Sequence, residues 1–226
     1  SKRRARALVF EAVQRGYAVC SIGYRLSGED KFPACVRDCR AALRWVRANA
    51  ARYAADPERI ALMGSSAGGH LAALMAVCDD AAFRTPEFPD VGHTVAAVVA
   101  RYGVFDLRDA GNGMSGALVR GLIGAAESER PDAYRRASPL WYVESAAAGG
   151  AAPRRYPPFL FIHGERDRVV SIEQSRRMHA ALRSAGCVST LIEVRGGGHG
   201  LLLGEMDPSP EAFRDQIFTF LDQHLK

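Results

Sequence analysis

Ile60-Ala61-Leu62-Met63-Gly64-Ser65-Ser66-Ala67-Gly68-Gly69-His70-Leu71 is an apolar run that ends in G-x-S-x-G and continues into an alanine-rich helical pattern. The run before the motif is short and β-like, and residues 67–77 are helix formers, so the expected order is strand, sharp turn, helix. A serine hydroxyl is a weak nucleophile in water. On such a turn it stands clear of the backbone, open to a base and beside the positive end of the following helix. Ser66 is the serine so placed. Gly64 and Gly68 flank it, as expected if a side chain at either position would collide with the neighbouring strand or helix at the tightest bend. Ala67 follows directly, and its backbone N–H is a candidate donor to a negatively charged oxygen.

Outward from this turn, runs rich in Val, Ile and Leu alternate with longer helical patterns. That alternation predicts an α/β fold, a mostly parallel sheet of βαβ units with helices on both faces. Strands are expected over residues 17–24, 60–63, 94–102, 158–163 and 189–194. Residues 8–15 read as a helix end. Pro33 opens a long helix with Val36, Leu43, Val46, Ala50 and Tyr53 on one face. Residues 172–184 are amphipathic and lead to Gly186, where a helix C-terminus favours a left-handed residue. Residues 211–225 close the chain as a helix that buries Phe213, Ile217, Phe220 and Leu221. One interval, 104–138, breaks the rhythm with short helical pieces and a flexible stretch at 110–116, the mark of a lid or pocket wall. The small-residue run 146–152 reads as a surface loop. There is no internal repeat.

A length of 226 residues with 48% hydrophobic composition suits a single domain with a full core. The net charge of +5 is scattered along helices and loops without interleaved aromatics, so nucleic acid is not an expected partner. The densest basic cluster, Lys2-Arg3-Arg4 with Arg6, reads as a solvated terminus. Five cysteines, an odd number without metal-ligand spacing, argue against a disulfide framework and favour a reducing, cytoplasmic compartment. Cys35 and Cys39, one helical turn apart, read as small core residues. No apolar run is long enough to span a bilayer, and no signal peptide opens the chain. The first residue is Ser1 and not methionine, which leaves room for a leader or a larger N-terminal piece. No cofactor or metal is implied.

An acyl-transfer serine needs a base, and the base needs an orienting carboxylate. In open parallel sheets the reactive groups leave the carboxyl ends of strands. His163-Gly164-Glu165-Arg166-Asp167-Arg168-Val169-Val170 follows one expected strand and offers both Glu165 and Asp167. Arg195-Gly196-Gly197-Gly198-His199-Gly200 follows the last strand, and its glycines let the backbone swing His199 toward Ser66. The other histidines have plainer expected roles. His70 caps or packs the helix after the turn, and His163 hydrogen-bonds locally to hold the acid turn. His93 and His179 read as surface residues, and His224 lies near a frayed end.

Tyr24-Arg25-Leu26-Ser27, Phe32-Pro33-Ala34, Asp38-Cys39-Arg40-Ala41-Ala42-Leu43-Arg44-Trp45-Val46, Asp56-Pro57-Glu58-Arg59-Ile60 and Gly64-Ser65-Ser66-Ala67-Gly68-Gly69-His70-Leu71 resemble the microbial α/β-hydrolase esterases. The set most similar is related to hormone-sensitive lipase and to bacterial feruloyl and acetyl-xylan esterases. Ala137-Ser138-Pro139-Leu140, His163-Gly164-Glu165-Arg166-Asp167 and Gly198-His199-Gly200 extend the resemblance over nearly the whole chain. It implies Ser66 as nucleophile, His199 as general base and then acid, and Asp167, in preference to Glu165, as the orienting carboxylate. The chain order Ser66, Asp167, His199 is that of α/β-hydrolases and not of chymotrypsin-like or subtilisin-like proteases.

Such esterases also carry a His-Gly-Gly-Gly-type loop that supplies half of the oxyanion hole, and nothing before Tyr17 resembles it. Ala67 then offers one donor, with the second absent from these residues. In that family's sheet a further strand lies between the segment at 17–24 and the strand at 60–63. The resemblance therefore implies an N-terminally truncated piece of a longer esterase. Three readings follow: a serine carboxylesterase acting on short-acyl esters, including acetyl or feruloyl esters of polysaccharides; a prolyl-oligopeptidase-like peptidase or arylformamidase with the same triad; and an inactive or noncatalytic hydrolase-like domain.

Overall fold

The strands are β1 (Ala61–Ser65), β2 (Ala97–Arg101), β3 (Phe159–Gly164) and β4 (Ser189–Val194), and the helices α1 (Lys2–Gln14), α2 (Ala34–Asn49), α3 (Ala67–Val77), α4 (Met114–Ile123), α5 (Pro131–Arg136), α6 (Pro139–Ala148), α7 (Glu173–Ser184) and α8 (Pro210–Leu225). This computed structural model describes residues 2–79, 81–111, 113–148, 155–201 and 206–226. The Lys2, Arg3, Arg4 and Arg6 side chains, expected to be solvated, lie outside the described residues, as does the 149–152 part of the expected loop.

All four strands run parallel in the order β1-β2-β3-β4, with Leu62 opposite Val98, Val98 opposite Phe159 and Phe159 opposite Ser189. Strand side chains alternate between faces, and each face of β3 meets a different helix layer. Phe159 and Phe161 pack with Met178 and Leu182 of α7 and with Ala72, Ala73 and Val77 of α3. Leu160 and Ile162 pack on the other face with Phe213, Ile217, Phe218 and Leu221 of α8. Buried on both sides, β3 reads as an unbroken apolar run and not as an alternating one. Outside this sandwich, α2 lays Val36 and Leu43 on Leu71 and Leu74 of α3.

Two expectations are corrected here. The segment at 17–24 forms no strand. A strand needs partners for its backbone N–H and C=O groups, and among the described residues β1 pairs with β2 alone, while residues 18–23 are exposed. The segment is held only at its ends. Tyr17 donates its hydroxyl to Asp222 of α8 at 2.5 Å, and Tyr24 packs against the α2–α3 cluster. Tyr53, expected on the buried face, is 58% exposed. The chain tightens into a 3-10 turn over Ala50–Tyr53, so the 3.6-residue period that would have buried it stops at Ala50.

Residues 104–138 hold a 3-10 turn (Leu107–Asp109), α4 and α5. The α6 helix runs on to Ala148 and takes in the first residues of the expected loop. The segment is tied to α7 by the buried amide of Gln174. Its Oε1 accepts from the N–H groups of Phe105 and Asp106, and its Nε2 donates to the carbonyls of Asp106 and Asp109.

Candidate active site

The turn from β1 into α3 forces Ser66 to φ 54° and ψ −120°, a region that costs a non-glycine residue on the order of 1–3 kcal/mol. Close approach accounts for the bend. A Cβ on Gly64 would lie 2.0 Å from the carbonyl oxygen of Gly68, so only glycine lets the strand end and the helix start meet. Gly68 itself corrects the sequence reading, because a Cβ there meets nothing within 4 Å. The second tight position is Gly69, whose Cβ would come to 2.8 Å from the Arg101 carbonyl at the end of β2. That same carbonyl accepts from the Ser66 N–H at 2.9 Å and locks the turn to the sheet.

His199 reaches Ser66 from beyond β4. Its Nε2 lies 3.1 Å from Ser66 Oγ and its Nδ1 lies 2.7 Å from Asp167 Oδ2. The carboxylate accepts a hydrogen bond from Nδ1–H, so Nε2 is the acceptor facing the serine hydroxyl. Glycines make this reach possible. Gly196 and Gly200 have φ of 76° and 90°, and a Cβ on Gly164 would stand 2.3 Å from the Gly197 carbonyl, so the acid and histidine loops touch at backbone level.

Asp167 is fully buried on its side chain. Its Oδ1 accepts from the N–H groups of Val169 at 2.8 Å and Val170 at 2.9 Å, which orients Oδ2 toward His199. Burial alone would raise its pKa. Hydrogen bonds from His163, Val170, His199 and Val169 outweigh that penalty and bring it from 3.8 down to about 2. Glu165, the other acid of the turn, makes no such contact with His199; it borders a cleft beside the site.

The remaining histidines fall into place around this line. His70 is buried in α3 and donates to the Ala137 carbonyl at 2.7 Å, and desolvation lowers its pKa. His163 is buried behind Asp167. His179 contacts Ser189 Oγ, His93 lies 3.5 Å from Asp79, and His224 packs edge-on to Phe220. Four of the five cysteines are buried, Cys35 and Cys39 among them, and Cys20 is exposed.

Sequence reasoning missed Tyr102. It follows β2 with a φ of 39° and is 7% exposed, and its ring stands edge-on to the His199 imidazole with centroids 4.9 Å apart. It walls one side of the imidazole. The contact joins residues 97 positions apart across the sheet, and no local pattern marks it.

Beside the site, a cleft of about 500 Å³ opens between residues 109–111 and 113–115 on one side and the acid turn on the other. Asp109, Met114, Glu165, Arg168, Glu173 and Arg177 are on its walls, which mix charge with apolar surface. Among the described residues no three His, Cys, Asp or Glu side chains gather as metal ligands. No helix among them is long and apolar enough to cross a membrane.

Several known proteins are similar to this chain. The chain is 36% identical over 189 residues to Esterase LipQ of Mycobacterium tuberculosis, covering 82% of the chain and 43% of LipQ. It is 33% identical over 224 residues to Esterase LipC of the same organism, covering 96% of the chain and 53% of LipC. The chain thus spans about half the length of these relatives. A truncated form of a carbohydrate esterase from gut microbiota superimposes with a TM-score of 0.76 at 32% identity, over 95% of this chain and 76% of that one. Esterase 2 of Thermogutta terrifontis, phosphoramylated by tabun, superimposes with a TM-score of 0.77 at 26% identity, over 98% and 76% of the two chains. The BD-FAE family matches residues 1–182, and with its parallel sheet, serine turn and esterase relatives the chain belongs to that family and has the α/β-hydrolase fold.

Proposed function

We propose that the protein is a serine carboxylesterase that cleaves short-acyl esters through an acyl-enzyme, with Ser66, His199 and Asp167 as its triad. The observation that carries this is the unbroken hydrogen-bonded line from Ser66 Oγ through His199 to Asp167, starting at a strained turn beside a helix N-terminus. Ser66 Oγ attacks the ester carbonyl as its proton passes to His199 Nε2, and the imidazolium is stabilised by the ionised Asp167. The carbonyl oxygen becomes an oxyanion facing the N–H of Ala67, an exposed residue in the first turn of α3 where N–H groups have no intrahelical acceptor. His199 then protonates the leaving alcohol, and water deprotonated by the same imidazole releases the acid. No step draws on a cofactor.

Ala67 supplies one oxyanion donor, and the sequence holds no glycine-rich His-Gly-Gly-Gly-type loop to supply another. Loss of one such donor costs on the order of a hundredfold to a thousandfold in rate. Residues 104–138 form the wall of the acyl or alcohol pocket. The charged cleft they share with the acid turn suits a hydroxyl-rich alcohol, and a carbohydrate esterase is among the solved structures that resemble the chain. That combination supports acetyl or feruloyl esters of polysaccharides as substrates.

The test is pre-steady-state hydrolysis of p-nitrophenyl acetate by the wild type and Ser66→Ala. The expected outcome is a p-nitrophenolate burst stoichiometric with enzyme in the wild type and none in the variant. A burst that survives Ser66→Ala overturns the assignment of the nucleophile. Equal turnover of the matched anilide favours the peptidase or arylformamidase chemistry that shares this triad. No turnover of either substrate by a folded wild type supports the inactive-domain reading.

A further inference from the structure

On the face of β3 that carries Phe159 and Phe161, the next inward position is His163, where the apolar row ends in a fully buried imidazole. The triad leaves this group unused, yet every polar atom of it is committed. Nδ1 lies 2.7 Å from Ser175 Oγ in the first turn of α7. Nε2 lies 3.0 Å from the Val170 carbonyl and 3.3 Å from Asp167 Oδ2. Two acceptors face Nε2 and a hydroxyl faces Nδ1, so the proton sits on Nε2 and Ser175 donates to Nδ1. The charged groups around it are few. Asp167 is in contact, and Glu193 stands opposite His163 in the β3–β4 register, held by Arg176 of α7.

A histidine that only tied the 167–170 turn to α7 would need Val170 and Ser175 alone. Here the same N–H also faces the carboxylate oxygen that accepts the hydrogen bond from His199 Nδ1–H. The Asp167 carboxylate is thereby ringed by four N–H groups, those of Val169, Val170, His199 and His163. The first two fix Oδ1, and among the described residues His163 is the one side chain besides His199 that faces Oδ2.

We propose that His163 is a positioning residue for the esterase reaction: it holds Asp167 Oδ2 in line with His199, and Ser175 holds His163 in the tautomer that can do so. The proposal rests on the esterase reading above, but part of its test does not. Among the groups that keep Asp167 ionised, the His163 hydrogen bond is the largest. Removing it leaves the buried carboxylate short of one donor and free to turn away from the base.

The test compares His163→Leu, His163→Gln and Ser175→Ala with the wild type by kcat and KM on p-nitrophenyl acetate and by the carboxyl carbon-13 titration of Asp167. Glutamine places an amide N–H near the lost Nε2 and leucine places none. His163→Leu is expected to lower kcat by about tenfold to a hundredfold with KM little changed, and to raise the Asp167 midpoint by about one pH unit. His163→Gln is expected to restore most of both, which a role in packing alone would not achieve. If His163→Leu fails to fold, Ser175→Ala decides, with a smaller fall in kcat and a smaller rise in the midpoint. A folded His163→Leu, or Ser175→Ala in its place, with wild-type kcat and wild-type Asp167 midpoint overturns the proposal. If the wild type shows no Ser66-dependent turnover, the esterase reading fails separately, and the Asp167 midpoints still decide the role of His163.

Discussion

Two glycines of one motif are not equivalent, and a matched pair of alanine substitutions separates them. Gly64→Ala drives a methyl group to 2.0 Å from the Gly68 carbonyl, and backbone cannot yield that much without opening the turn that presents Ser66. The expected result is loss of burst activity and a large drop in melting temperature. Gly68→Ala places its methyl group in open space within the first turn of α3. Alanine there removes backbone entropy from the unfolded chain and is expected to stabilise by roughly 0.4–1 kcal/mol, read as a raised urea midpoint. Equal destabilisation by both would show that the motif is tight throughout. At this scale Ser66 and His199 were legible as candidates because both sit in glycine-marked turns, and the structure brings the two side chains together. It left Glu165 and Asp167 undecided between themselves, and only the resemblance favoured Asp167. Tyr102 and the contact from His163 to the carboxylate were illegible, because each depends on which residues the sheet brings side by side.

Elements were legible where their pattern was self-contained. The fourth strand, Ser189–Val194, and the helix after Ser66, Ala67–Val77, have the bounds expected from their apolar runs and flanking turns. The segment at 17–24 has an equally apolar pattern and forms no strand, because strand formation depends on a neighbour that local sequence does not describe. The attachment of residues 104–109 to the scaffold was likewise invisible, since it runs through the buried amide of Gln174, about 68 residues away, and through Arg177, which pairs with Asp106 and Asp109. Gln174 is 6% exposed and saturates two N–H groups and two carbonyls. Gln174→Leu keeps the volume but strands these buried groups, at a cost of roughly 1–3 kcal/mol each where water cannot replace the amide. The expected outcome is destabilisation of about 2–5 kcal/mol, the upper end of single-site effects. Increased proteolysis within 104–138 before global unfolding would locate the damage in that segment. An unchanged urea midpoint would show that water satisfies these groups and that the glutamine is not a clamp.

For the molecule as a whole, the carboxylate of the proposed triad makes stability depend on pH in the acid range. The Asp167 pKa falls from 3.8 in the unfolded chain to about 2 in the folded protein, so the folded state binds fewer protons from this group in the acid range. Its stabilising contribution is therefore complete above about pH 5 and is lost as pH falls through 3.8 toward 2. The shift corresponds to roughly 2 kcal/mol, about half of it gone by about pH 3. Asp167→Asn cannot titrate, so its stability should fall less steeply over that window than the wild type's, by about 1 kcal/mol between about pH 5 and about pH 3. Paired urea denaturation curves at the two pH values check this, because the other carboxylates titrate alike in both proteins and cancel in the comparison. The same substitution removes the charge that stabilises the His199 imidazolium and should lower kcat by orders of magnitude at neutral pH, where the acid effect on stability is absent. Identical pH slopes in the two proteins would mean that Asp167 keeps its ordinary acidity on folding. The four N–H groups around the carboxylate would then be an orienting cage with no net preference for its ionised form.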